Sequence, residues 1–192
     1  NAAMGGTSLS RTDQKRWMDL TTDSMSLASL SKSILSGDFS VQRQARIRTS
    51  ATEYFGQVIE ELEGWDFGDA RILLIGYGMN DYQNGVPLEN PEDPWDEYSF
   101  GGALRRVLSD FGRAYPDLRV ILLTPTYSWY LTREETCEEL NWGGGYLEQY
   151  VELEKEIADE YGVEVLDLYH DFYRHDSFED WKNVTRDGVH PN

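Results

Sequence analysis

An α/β fold built on a mainly parallel sheet is the architecture this sequence predicts, and two observations carry it. Short apolar runs without polar alternation, Ile72-Leu73-Leu74-Ile75 above all, have the pattern of strands covered on both faces. Between these runs, apolar residues recur every three or four positions, so strands and helices alternate, the order that yields a parallel sheet.

Residues 1–10 are small and polar with adjacent glycines at positions 5 and 6, a loop in which backbone can approach another group closely. From about 41 to 63, the residues Ala51, Tyr54, Phe55, Val58, Ile59 and Leu62 follow helical spacing and predict one helix that ends at Gly64. The first strand covers 71–75, with Gly76 to Asp81 at its carboxyl end. Residues 82–98 hold Pro87, Pro91 and Pro94 among acids and aromatics, which predicts a lid or substrate loop. Phe100, Ala103, Leu104, Val107, Leu108, Phe111 and Tyr115 mark a second helix, stopped by Pro116. A strand over 118–123 ends in Thr124-Pro125-Thr126, and an aromatic loop with Tyr127, Trp129, Tyr130 and Trp142 follows. Gly143 to Gly145 precede a third helix carrying Leu147, Tyr150, Val151, Ile157 and Tyr161, which Gly162 ends. A third strand over 163–168 leads into a last loop that runs to His190. With no internal repeat, low-complexity tract or linker, the 192 residues read as one domain over 1–192.

A net charge of −18, spread along the chain, repels phosphate backbones and anionic lipid, so nucleic acid is excluded as a partner. No apolar run approaches the roughly 20 residues of a membrane span. The single cysteine, Cys137, forms no internal disulfide, and the acids around it disfavour a thiolate, so it reads as structural.

Two motifs carry chemistry. In Asp187-Gly188-Val189-His190 the carboxylate can reach back to Nδ1 of its own histidine and fix the tautomer that leaves Nε2 free to accept a proton. In Gly78-Met79-Asn80-Asp81, directly after the first strand, Asn80 offers an uncharged amide donor and Asp81 a brace for the loop. Ligand sites in parallel sheets lie outside the carboxyl ends of the strands, so the two motifs are expected in one cleft. His170, Asp171, His175 and Asp176 open a competing reading, a metal-dependent hydrolase, although neither HExxH nor CxxC spacing is present.

These residues, in this order, resemble the SGNH (GDSL-type) hydrolases, serine esterases and carbohydrate deacetylases on a flavodoxin-like three-layer α/β/α fold. Gly78 to Asp81 is similar to the family's asparagine block, Asp187 to His190 to its histidine block, and Asn1 to Ser8 to its glycine block. The resemblance implies His190 as general base, Asp187 as its orienting acid, and an oxyanion hole made by the Gly6 N–H and the Asn80 amide, with no cofactor or metal. The Gly-Asp-Ser block that supplies the nucleophile is missing from these residues. The expectation is therefore a fold incomplete at both ends, short of two of five strands and a final helix, with unpaired strand edges and a bare sheet face. The resemblance further implies an ester substrate, with an O-acyl (acetyl) group on a carbohydrate favoured by the loop aromatics. Tyr82, Trp95, Tyr127 and Trp129 are the candidates to line that site. A catalytically inactive binding module that kept the fold and lost the serine is the alternative from another class.

Overall fold

The computed structural model describes residues 7–12, 25–43, 52–130, 132–172 and 178–192, apart from the side chains of 52–55. Its order is α1 (Leu27–Ser36), α2 (Ser40–Arg43), α3 (Thr52–Glu63), β1 (Ile72–Ile75), α4 (Met79–Asn84), α5 (Phe100–Ala114), β2 (Arg119–Leu123), β3 (Trp129–Tyr130), β4 (Glu135–Thr136), α6 (Leu147–Tyr161), β5 (Glu164–Leu166), α7 (Leu168–Asp171) and α8 (Phe178–Val184). The sheet order is β1-β2-β5, all parallel, and β3 and β4 form a separate antiparallel hairpin. The mixed α/β architecture is the one predicted.

One face of the sheet holds the core. Ile75 and Leu122 point into a layer in which α5 packs between α1 and α6, and α5 supplies Phe100, Leu104, Val107 and Phe111 to it, all buried. Ser99 starts α5 by accepting from the Gly102 N–H at 3.2 Å, the capping role for which a hydroxyl is suited. The opposite face alternates with it. Ile72, Leu74 and Leu166 are 53%, 58% and 51% exposed, and the register Leu74↔Ile121, Leu123↔Leu166 places them on one face of the sheet. Unbroken apolar runs mark that face for a second layer, and among the described residues no element covers it.

Several local expectations need correction. The helix predicted over 41–63 is represented by α2 and α3, with 44–51 outside the described residues, although Val58, Ile59 and Leu62 are buried as their spacing requires. The helix α1 was not predicted, because its inward face substitutes Ser31 and Ser33 for apolar residues. The start of the 82–98 stretch is helical, as the end of α4, and the rest is pinned rather than loose. Phe100 and Gly101 N–H groups donate to the Pro87 and Leu88 carbonyls at 2.9 and 2.9 Å, and Arg105 grips Glu89 at 2.9 Å. Glu97 meets Lys32 of α1 at 2.7 Å, and its carbonyl accepts from the Arg11 N–H at 2.8 Å. The last loop also contains α7 and α8.

Candidate active site

The segment 187–190 folds around one carboxylate. Asp187 Oδ1 accepts from the backbone N–H groups of Val189 at 3.1 Å and His190 at 2.9 Å, while Oδ2 lies 2.7 Å from His190 Nδ1. Gly188 makes the turn possible with φ +91°, a conformation other residues adopt only at a steric cost. Its carbonyl is held from two sides, by the Trp181 indole N–H at 2.7 Å and the Trp129 backbone N–H at 3.0 Å. Partial burial works to raise the Asp187 pKa, but the bonds from His190 and Val189 outweigh it and bring the carboxyl down to about 2. The His190 side chain is 68% exposed, so the ring is gripped at Nδ1 and open beyond it.

A depressed pKa fixes a pH window. A carboxyl with a folded value below its ordinary 3.8 contributes stability above that value and loses it as the pH falls toward 2. The Val189 and His190 amide resonances should therefore titrate in NMR spectra with a midpoint near about 2; a midpoint near about 4, the ordinary carboxylate value, would show that the Asp187 bonds carry no such weight.

The chain provides its own control for this geometry. Asp167 and His170, also three residues apart, make the same pair with Nδ1 at 2.8 Å and the His170 N–H at 3.1 Å. There, however, Lys155 shares Asp167 Oδ2 at 3.1 Å, and His170 Nε2 faces Glu148 at 3.9 Å. That pair caps α7 and is shared with charged neighbours, whereas among the described residues the imidazole is the only ionic partner of Asp187. His170 is thus engaged locally, and His175 and Asp176 lie outside the described residues.

Asn80 sits in the first turn of α4, directly after β1. Gly78 enters that helix with φ +106°, and a Cβ there would lie 2.9 Å from the Pro125 ring, so only glycine allows β1 to turn this close to the segment following β2. The Asn80 amide donates to the Thr7 carbonyl at 3.1 Å. Asp81, fully buried, accepts from the Leu9 and Ser10 N–H groups at 2.8 and 2.8 Å, and Asn84 reaches the Ser8 hydroxyl at 3.4 Å. Three side chains of α4 thereby hold residues 7–10 in order. Gly6, the expected oxyanion donor, lies outside the described residues, one position before Thr7.

Both motifs adjoin one segment, 124–130: Gly78 packs on Pro125, and Trp129 holds Gly188. Of the residues expected to line a substrate site, Trp129 is the one beside the His190 loop, its ring 4.9 Å from Phe178. Tyr82 and Tyr127 require correction, since both are buried. Tyr82 meets Tyr150 edge-on and donates to the Leu140 carbonyl at 2.9 Å, and Tyr127 packs between Tyr169 and Trp181. Trp95 lies under the Arg106 guanidinium, 5.3 Å from it. Cys137 is buried, which pushes its thiol pKa up. Ser128 is fully buried, which removes it as an in-chain nucleophile. Gly37-Asp38-Phe39-Ser40, the nearest approach to a Gly-Asp-Ser block, follows helix α1 instead of a strand, so it forms no nucleophile elbow.

A carboxylate-oriented imidazole thus sits on a loop bonded to the segment that follows β2, in a protein of the α/β class with a parallel sheet. More narrowly, the chain belongs to the GDSL-like lipase/acylhydrolase family, whose model matches residues 29–192. It is similar to a crystal structure at 25% identity, covering 70% of this chain and 62% of that one with a TM-score of 0.58. A Lactobacillus plantarum protein is 23% identical over 77% of this chain and 66% of its own, with a TM-score of 0.57. A structure described as a possible lipase from Chitinophaga pinensis is 19% identical over 72% and 71%, with a TM-score of 0.53. The last two likenesses bear on fold alone. The chain spans less than two thirds of the length of the first two structures, 62% and 66%. No curated protein matches it.

Proposed function

We propose that this chain supplies the base and the oxyanion-binding half of a serine esterase that removes an acyl group from an alcohol, with an O-acylated carbohydrate as the substrate class. His190 takes the proton of the attacking serine at Nε2, and Asp187 holds the ring by Nδ1 and stabilises the imidazolium. The Asn80 amide and the Gly6 N–H receive the negative charge that develops on the carbonyl oxygen. Because the amide is neutral, it stabilises that charge without a charge of its own to desolvate. The observation that carries the reading is the 2.7 Å bond between Asp187 and His190 on a ring that is otherwise open. The nucleophilic serine is assigned to no residue here. Trp129 and Phe178, an aromatic pair beside the His190 loop, favour a sugar ring, which stacks on flat apolar faces.

Fluorophosphonate labelling of the protein that carries this chain, together with hydrolysis of p-nitrophenyl acetate and of acetylated xylan, tests the proposal. A label on one active-site serine with release of acetate is the expected result. No label and no turnover would favour the inactive binding module instead.

A further inference from the structure

The hairpin β3–β4 touches both halves of the site through consecutive residues. On one side, the Trp129 N–H donates to the Gly188 carbonyl at 3.0 Å, inside the loop that carries Asp187 and His190. On the other, the Tyr130 hydroxyl accepts from Gln83 Nε2 at 3.0 Å and lies 4.0 Å from Met79 Sδ, both on the helix that carries Asn80. Neighbouring side chains and backbone groups of a strand point in different directions, so a two-residue strand can hold two partners at once.

The hairpin itself is fixed. The Cys137 N–H donates to the Ser128 carbonyl at 3.0 Å and closes its base. Tyr82 of α4 donates to the Leu140 carbonyl at 2.9 Å, which ties the returning arm to the same helix. The Tyr130 ring meets Trp142 edge-on at 5.9 Å, and Trp142 in turn carries the Arg133 guanidinium at 4.8 Å. The hairpin is thus attached to α4 at Gln83 and Tyr82 and to the histidine loop at Gly188.

We infer that this hairpin is a strut that sets the position of His190 relative to Asn80, and that Tyr130 and Gln83 are positioning residues acting through it. The inference rests on the reading of His190 as base and Asn80 as oxyanion donor for its catalytic consequence, but its structural content stands apart. A strut transmits a disturbance. Loosening the Tyr130–Gln83 contact on the α4 side should release the histidine loop on the other side, which a purely local packing role would not do.

The test uses Tyr130→Phe, which keeps the ring against Trp142 and removes only the hydroxyl, and Gln83→Leu, which removes the donor from the other partner. Native-state hydrogen exchange read by NMR is compared at the Val189 and His190 amides, and p-nitrophenyl acetate kinetics are measured alongside. In both variants those amides should exchange about five- to tenfold faster, the scale of one hydrogen bond, and the double variant should be no worse than either single one. The same variants should lose kcat with KM nearly unchanged. Unaltered exchange at 189 and 190 in both variants overturns the strut, whatever the activity. A wild-type protein without esterase activity refutes the functional proposal alone and leaves the exchange result to decide this one.

Discussion

Replacing His190 by Ala should reduce ester hydrolysis by about a hundred- to ten-thousandfold, the contribution of a positioned acid–base group. The ring is mostly exposed and packs against little, so melting by circular dichroism should barely change. His170→Ala provides the matched control, since that imidazole has the same local geometry but faces Glu148 and shares its carboxylate with Lys155. It should leave turnover intact. Wild-type turnover in the His190 variant would refute the role assigned to it, and equal losses in both would show that the chain cannot be divided into one working pair and one structural pair.

That contrast also shows how far the residues could be read before any coordinates. An aspartate three positions before a histidine forms the same hydrogen bonds twice in this chain, so the spacing fixes the local geometry and not the chemistry. What separates the two pairs is a lysine twelve positions upstream of Asp167 and a glutamate on α6, neighbours that only the fold brings together. The strands β1, β2 and β5 were legible as short apolar runs, and the helices α5 and α6 because their apolar residues keep one period over their length. Helix α4 was not, because its six residues are too few for a period and the prolines after it suggested a loop. That omission explains the misplacement of Tyr82: as a loop residue it could face a ligand, but in a helix its position next to Asp81 turns it inward. The hairpin was missed for a related reason, since strands of two residues carry no alternation to detect.

Changing Asp81 should lower both stability and turnover. Asp81 is fully buried, with no cationic partner among the described residues, and its two oxygens accept the backbone N–H groups of Leu9 and Ser10 at 2.8 Å. Two acceptors are needed there. Burial raises the carboxyl above its ordinary 3.8, and the bonds from Ser10 and Leu9 offset only part of that rise. In Asp81→Asn, one oxygen becomes an NH₂ facing an N–H, so a buried donor is left unpaired at a cost of roughly 1–3 kcal/mol. For a chain of this size that corresponds to a fall in Tm of about 3–10 °C. Because the same helix turn carries Asn80, whose amide bonds Thr7, kcat should fall with it. Glu154 of α6 provides the opposite case. It is also buried, and burial first, then the nearby carboxylates Asp81 and Asp167, push its carboxyl well above its ordinary 4.5, which favours the neutral form. An acid with a raised folded pKa contributes its stability below the ordinary value and loses it as the pH climbs toward the folded one. Glu154→Gln copies the neutral form, so it should flatten the decline in stability that the wild-type protein shows as the pH rises above the ordinary 4.5. An unchanged pH profile in Glu154→Gln would refute the raised Glu154 carboxyl, and no loss of Tm in Asp81→Asn would show that its two backbone bonds carry little weight.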